Sequence, residues 1–291
     1  MVVNQLNEAF QTYIEKIKQI FPHNIAETFV HDSGDDFLII EVNDEWMFRF
    51  PRQEFSRKAF AVEKAFLSKF NSISPLPVPD YQYSRDGFGG YQKIHGSPLS
   101  IDLFQNLSES TQERIARQLG QFLSTIHNFP VDEAKRIGLI EDWNGWYDKI
   151  IQNYRETVAP MLSPSTRKNT LQLIERTLAE PFEARVLHGD FALEDHVFFD
   201  VQRQELCGVI DFADVTINDP AHDFQNIVEY GGEGFYDEVM RHYQGRDDPT
   251  LLKRTMLRIE TRPMLEASSS LLFGFEKRFK DRMEYLEAKY G

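Results

Sequence analysis

The segment His188-Gly189-Asp190-Phe191-Ala192-Leu193-Glu194-Asp195-His196-Val197-Phe198-Phe199-Asp200, followed after a short polar turn by Val209-Ile210-Asp211-Phe212-Ala213-Asp214, sets chemistry-bearing side chains at the ends of two short apolar runs. Val186-Leu187-His188 and Gly208-Val209-Ile210 read as short buried strands. One strand leads to an acid, a loop brings a side chain able to bind metal, and the second strand ends at another acid. Phosphoryl transfer from a nucleotide needs such parts: a carboxylate that orients the acceptor hydroxyl and takes its proton, and ligands for a cation bridging the phosphates.

Upstream of this segment the chain is rich in strand patterns. Residues 6–20 carry Leu6, Phe10, Ile14, Ile17 and Ile20 at helical spacing, stopped by Phe21-Pro22. Residues 37–42 and 46–50 are β-prone runs joined by Asn43-Asp44-Glu45, the pattern of a hairpin. A second helical pattern covers 55–70, Pro75, Pro77 and Pro79 enforce an extended connection, and a further strand is expected over 91–94. From Ser108 onward the texture becomes helical, with patterns over 110–128, 143–158 and 164–178 and again from about Pro220 to the end. Strands first and helices later argue for two lobes with a hinge near 93–97.

Composition narrows the function. The 291 residues hold 32 Lys+Arg against 46 Asp+Glu, a formal charge of −14, which disfavours a nucleic-acid binder because phosphate contacts need clustered cations. The basic run Lys277 to Arg282 reads as a solvated helix face. The single cysteine, Cys207, permits no intrachain disulfide, and the start of the chain carries neither a basic n-region nor an apolar run. A cytoplasmic monomer acting on a small molecule, without nucleic-acid or membrane partners, is the expectation.

Protein kinases carry His-Arg-Asp, an Asn five residues after that Asp, and then Asp-Phe-Gly. On Ser33-Gly34-Asp35-Asp36, Phe48-Arg49-Phe50-Pro51-Arg52, His188-Gly189-Asp190-Phe191, Ile210-Asp211-Phe212 and Asn218-Asp219-Pro220 with Asp223-Phe224, in that order, the chain resembles the antibiotic kinases. The aminoglycoside 2''-phosphotransferases are nearest and the macrolide 2'-phosphotransferases next. The resemblance implies an α/β, bilobal fold like that of eukaryotic protein kinases, with a β-rich nucleotide-binding lobe over 1–95 and a larger helical substrate-binding lobe over 96–291. It implies transfer of the γ-phosphate of ATP or GTP, with Mg²⁺, to an aminoglycoside hydroxyl. A macrolide kinase, another small-molecule kinase and a catalytically silent nucleotide-binding module are the alternatives.

Carried over by motif, Asp190 resembles the catalytic base, and His196 and Asp211 resemble the metal ligands. Asp195 occupies the usual spacing, and a one-residue insertion shifts the metal position to His196, so both remain open. Arg49 stands where the family has a phosphate-binding Lys, and Glu63 is its expected partner. Gly34 and Asp35 resemble a flap over the nucleotide phosphates, and Tyr91, Lys93 and Ile94 a hinge against the purine. Asp195, Asp214, Glu229 and Glu233 are the acids expected to face a polycationic acceptor. His188, Asp219 and Asp223 read as structural anchors of the loop, and His127 as a satisfied core histidine.

Overall fold

The computed structural model describes residues 8–32, 36–141, 145–245 and 247–291, which leaves Gly34, Asp35 and Trp143 outside the described residues. The N-terminal region is built from α1 (Glu8–Lys18), β1 (Thr28–His31), β2 (Phe37–Val42), β3 (Trp46–Pro51), α2 (Glu54–Phe70), β4 (Tyr83–Arg85) and β5 (Phe88–Gln92). Its strands form one antiparallel sheet in the order β1-β2-β3-β5-β4. The hairpin turn between β2 and β3 uses Asn43 and Asp44 at φ 57° and 55°, residue types that tolerate the left-handed region because their short polar side chains bond locally. Asn43 Oδ1 accepts from the backbone N–H groups of Ala26 and Glu27.

The pleat of β3 separates a packed face from a polar one. Phe48 and Phe50 point to the first, where Ile14 and Ile17 of α1 and Phe21 cover them. Arg49, between them, must then point to the other face, where it meets Glu63 on the apolar stripe of α2. The strand expected over 91–94 lies instead at 88–92. A Cβ at Gly90 would stand 2.4 Å from the Phe48 ring, so the strand needs glycine there.

The C-terminal region comprises β6 (Ser97–Pro98), α3 (Ile101–Gln105), α4 (Glu109–His127), α5 (Val131–Ile137), α6 (Trp146–Asn153), α7 (Pro164–Leu178), β7 (Arg185–Leu187), α8 (Leu193–His196), β8 (Val197–Asp200), β9 (Glu205–Val209), β10 (Thr216–Asn218), α9 (Gln225–Met240), α10 (Leu251–Phe273) and α11 (Glu276–Tyr290). Two small antiparallel sheets, β10-β7 and β6-β8-β9, lie within the helices. Ser100, Ser108 and Ser163 cap α3, α4 and α7 by accepting N–H bonds from the first turn. Phe122 of α4 packs on Phe191 and Phe212 in the main core, so the residues that flank the two acids are the ones that anchor them. The fold is the α/β arrangement expected, a small sheet region followed by a larger helical one. No helix among the described residues is long and apolar enough to cross a membrane.

Candidate active site

The loop between β7 and α8 is tied from behind. Asp223, 1% exposed, accepts the backbone N–H groups of His188 at 2.9 Å and Gly189 at 3.1 Å, and its Oδ2 lies 3.1 Å from His127 Nε2. Burial works to raise the Asp223 carboxyl, and His127 holds it below the usual range. Gly189 adopts φ 88°, and a Cβ there would fall 2.1 Å from the backbone oxygen of Asp214. His188 donates from Nε2 to the Ile210 carbonyl at 3.0 Å, joining this loop to the end of β9. His188, Asp223 and His127 are thus structural anchors, as their sequence context suggests. The restraint leaves the Asp190 carboxylate presented to the cleft with its side chain 53% exposed.

One imidazole separates the two acids of the opening motif. His196 Nδ1 lies 2.8 Å from the Asp190 backbone oxygen, an acceptor, so this nitrogen carries the proton. Its Nε2 faces Asp211, 3.8 Å from Oδ2. Asp211 sits at φ 63°, in the left-handed region that Asp tolerates better than most side chains. Burial would raise the Asp211 carboxyl; the Arg49 guanidinium and His196 bring it below the usual carboxylate value. Asp195, one residue earlier than His196, turns to a neighbouring cavity.

Arg49 joins the two regions. It donates to Glu63 Oε1 at 2.6 Å and to Asp211 Oδ1 at 2.9 Å, with Phe37 stacked 4.2 Å from its guanidinium carbon. Tyr81 donates to the same Glu63 oxygen at 3.0 Å. Among the described residues, Arg49 Nε and Glu63 Oε2 are buried without a hydrogen-bond partner. Burial pushes the Glu63 carboxyl up to about 7 against the pull of Arg49. Asp214, open to solvent by its surface yet ringed by Asp190, Asp211 and Asp36, is pushed up to about 6, by burial first and then by those charges.

The donor set fits a hard divalent cation. An imidazole nitrogen and a carboxylate oxygen converge, beside a third acid whose pKa is raised first by burial and then by the neighbouring acids. No group of three or more potential protein ligands occurs among the described residues. Mg²⁺ accepts that arrangement, since it commonly takes one or two protein ligands and completes its shell with phosphates and water.

The expected hinge residues divide. Tyr91 is buried, its ring 5.4 Å from that of Tyr81. Lys93 donates from its backbone N–H to the Glu45 carbonyl, and its ammonium is held by Glu41 at 2.8 Å and Asp44 at 2.5 Å on the sheet. Ile94 packs over Gly208. Gly34 and Asp35 lie outside the described residues.

A cavity of about 510 Å³ opens beside Asp190, with Asp195, Trp146, His222, Arg262 and Glu266 on its walls. Of the four acids expected to face an acceptor, Asp195 lines it. Asp214 stands among the acids near Asp211. Glu229 is engaged by Arg262, and Glu233 is exposed just past a kink in α9, where Gly232 takes φ 67°. Arg258, Arg262 and Glu266 were missed as cavity residues. Their signal was the spacing of four along α10, which puts all three on one helical face. Burial, then Arg258, pushes the His222 imidazole down to about 4.

A model of the Phosphotransferase enzyme family matches residues 30–254. Viomycin phosphotransferase of Streptomyces vinaceus is 28% identical over 150 residues, covering 51% of this chain and 52% of that protein, so the chain spans about half the length of this relative. Among solved structures, the GDP and kanamycin complex of APH(2")-IIia superposes with a TM-score of 0.83 at 27% identity, over 95% of this chain and 97% of that one. A macrolide 2'-phosphotransferase type I superposes with a TM-score of 0.75 at 21% identity over 98% of both chains, a likeness of fold.

Proposed function

The chain belongs to the Phosphotransferase enzyme family, and on that premise we propose that it transfers the γ-phosphate of a purine nucleoside triphosphate to a hydroxyl of an aminoglycoside. The observation that carries the reading is the position of Asp190. It borders the 510 Å³ cavity on one side and the His196–Asp211–Arg49 cluster on the other. An acceptor in that cavity presents its hydroxyl to a carboxylate, and a triphosphate along the cluster presents its terminal phosphorus to the hydroxyl oxygen.

Asp190 orients the hydroxyl and takes its proton as the new oxygen–phosphorus bond forms. The bond between the γ-phosphorus and the bridging oxygen breaks, and the nucleoside diphosphate leaves with that electron pair. Arg49 carries the positive charge toward the phosphates while Glu63 and Tyr81 fix its fork. Mg²⁺, held by His196 and Asp211, would neutralise phosphate charge. The comparison with a GDP and kanamycin complex at 27% identity supports a purine nucleotide and an aminoglycoside, and Asp195 is an acid on the cavity wall suited to an acceptor ammonium group.

The test is incubation with ATP or GTP, Mg²⁺ and a panel of kanamycin-type, gentamicin-type and erythromycin-type antibiotics, read by mass spectrometry. A mass gain of one phosphate on an aminoglycoside is expected. A gain on the macrolide alone moves the assignment to the macrolide kinases, and nucleotide consumption unaffected by every acceptor overturns the reading.

A further inference from the structure

Gly189 is held at both of its peptide groups. Its N–H donates to the buried Asp223 Oδ1 at 3.1 Å. Its carbonyl, which belongs to the peptide group leading into Asp190, is hydrogen-bonded by the His222 side chain. His222 ends the short turn Pro220–His222 and stands on the wall of the cavity that Asp190 borders. The imidazole is aimed in its turn. Gln225, 5% exposed, lies with Nε2 3.1 Å from His222 Nδ1 and with Oε1 2.9 Å from Arg262 Nη2. A guanidinium only donates, so the Gln225 oxygen must face Arg262 and the amide N–H must face His222. Nδ1 is therefore an acceptor. The ring proton sits on Nε2, the nitrogen left for the Gly189 carbonyl, which can only accept.

We propose that His222 is a positioning residue that holds the Gly189–Asp190 peptide group and so sets the direction in which the Asp190 carboxylate enters the cavity. The inference deepens the kinase reading and rests on it for the consequence in catalysis. Gly189, at φ 88°, has no side chain to restrict its backbone, so the peptide plane that follows turns easily unless its carbonyl is tied. The Asp190 side chain is half-exposed. With little packing around it, the carboxylate takes its direction from the backbone that carries it. Burial first, and then Arg258, keep the imidazole neutral, so the clamp adds no positive charge beside the base.

The experiment uses the full chain. Long-range proton–nitrogen NMR correlations of histidine-labelled protein at neutral pH read the tautomer, with the His222 signals identified by their loss in His222→Gln. A proton on Nε2 and none on Nδ1 is expected; a proton on Nδ1 would overturn the proposal. His222→Leu fills the volume without a donor, and His222→Gln returns an amide N–H. The Asp190 amide nitrogen shift, which responds to the hydrogen bond on the preceding carbonyl, should move in His222→Leu and return toward the native value in His222→Gln. In phosphorylation of kanamycin, His222→Leu should lower kcat by about ten- to a hundredfold with nucleotide KM unchanged, and His222→Gln should recover most of the loss. An equal loss in both variants, a loss of kcat no larger than the loss of folded protein, or full kcat in His222→Leu would assign His222 a merely structural role and overturn the proposal. The expected NMR changes in a native chain that phosphorylates no antibiotic would uphold the clamp on Asp190 and overturn the kinase reading alone.

Discussion

Arg49 and Asp211, 162 residues apart in the chain, share a hydrogen bond of 2.9 Å across the cleft between the sheet region and the helical region. The same guanidinium binds Glu63 at 2.6 Å. A planar fork can serve both acids at once, whereas a lysine ammonium on a flexible stem is a point charge. The Arg in place of the lysine of related motifs is thereby tied to a specific task, holding the buried α2 acid and the cleft acid in one plane. The bond to Asp211 is the one a bound triphosphate would compete for.

Stability and catalysis can therefore be separated at this residue. Removing Arg49 leaves Glu63, which is 0% exposed, as an uncompensated buried acid, at a cost on the order of 3 kcal/mol. Arg49→Ala should lower the melting temperature as well as kcat/KM. Arg49→Ala with Glu63→Leu should restore much of the stability and none of the activity. Equal activity in the double variant and the wild type would place Arg49 outside the phosphate site.

Asp190→Asn should keep nucleotide affinity and fold while kcat falls by roughly 10²-fold or more, as expected when a positioned base is removed. Its backbone, not its carboxylate, accepts the His196 bond of 2.8 Å, so the substitution leaves that anchor intact. Nucleotide titration and single-turnover rates check the two halves separately, and near-normal turnover would exclude Asp190 as the base.

His196 and Asp195, the two candidates for the second metal position, lie in different surroundings. His196 Nε2 faces Asp211 at 3.8 Å, while Asp195 lines the cavity beside Asp190. His196→Ala should raise the Mg²⁺ concentration needed for half-maximal activity, and Asp211→Ala should do so more severely, because carboxylate suits a hard cation better than imidazole. Asp195→Ala should leave the metal requirement alone and raise acceptor KM. The reverse pattern would return the metal to Asp195.

Much of this arrangement was legible in the residues. His188, Asp190, Asp211 and Asp223 sit in short runs whose strand–loop–strand pattern is local, and local pattern is what sequence displays. Glu63, expected as the partner of Arg49 from the family motif, bonds it at 2.6 Å. The setting of Glu229 was not legible. Arg262 and Glu229 lie 33 residues apart on different helices, and nothing in either segment alone says that a guanidinium neutralises that acid. The fold pairs Glu229 with Arg262 and leaves Glu233 exposed past Gly232, which a count of charges along the chain does not display. The side-chain setting of Lys93 was hidden for a like reason: its ammonium is held by Glu41 and Asp44, about fifty residues upstream.

Asp214 provides a pH signature. Its carboxyl is pushed up to about 6 by burial and by Asp190, Asp211 and Asp36, from an ordinary 3.8. Below the ordinary value both the folded and the unfolded chain carry the proton, and Asp214 costs nothing. Between that value and 6 the unfolded chain has released the proton and the folded one still binds it, so stability falls as pH rises. Above 6 the folded chain holds the charge at its full penalty. A two-unit offset would amount to about 3 kcal/mol for a sealed group, but the Asp214 side chain is open to solvent, which screens the repulsion and leaves about 1 kcal/mol or less. Asp214→Asn should thus raise the melting temperature by about 2 °C at pH 7.5, in the absence of divalent metal, and by clearly less at pH 4.5. Thermal scans of both proteins at the two pH values decide it. An equal gain at both would mean that the substitution acts through packing and not through the crowded charge, and a loss at pH 7.5 would mean that the ionised carboxylate is needed to hold the turn after Asp211.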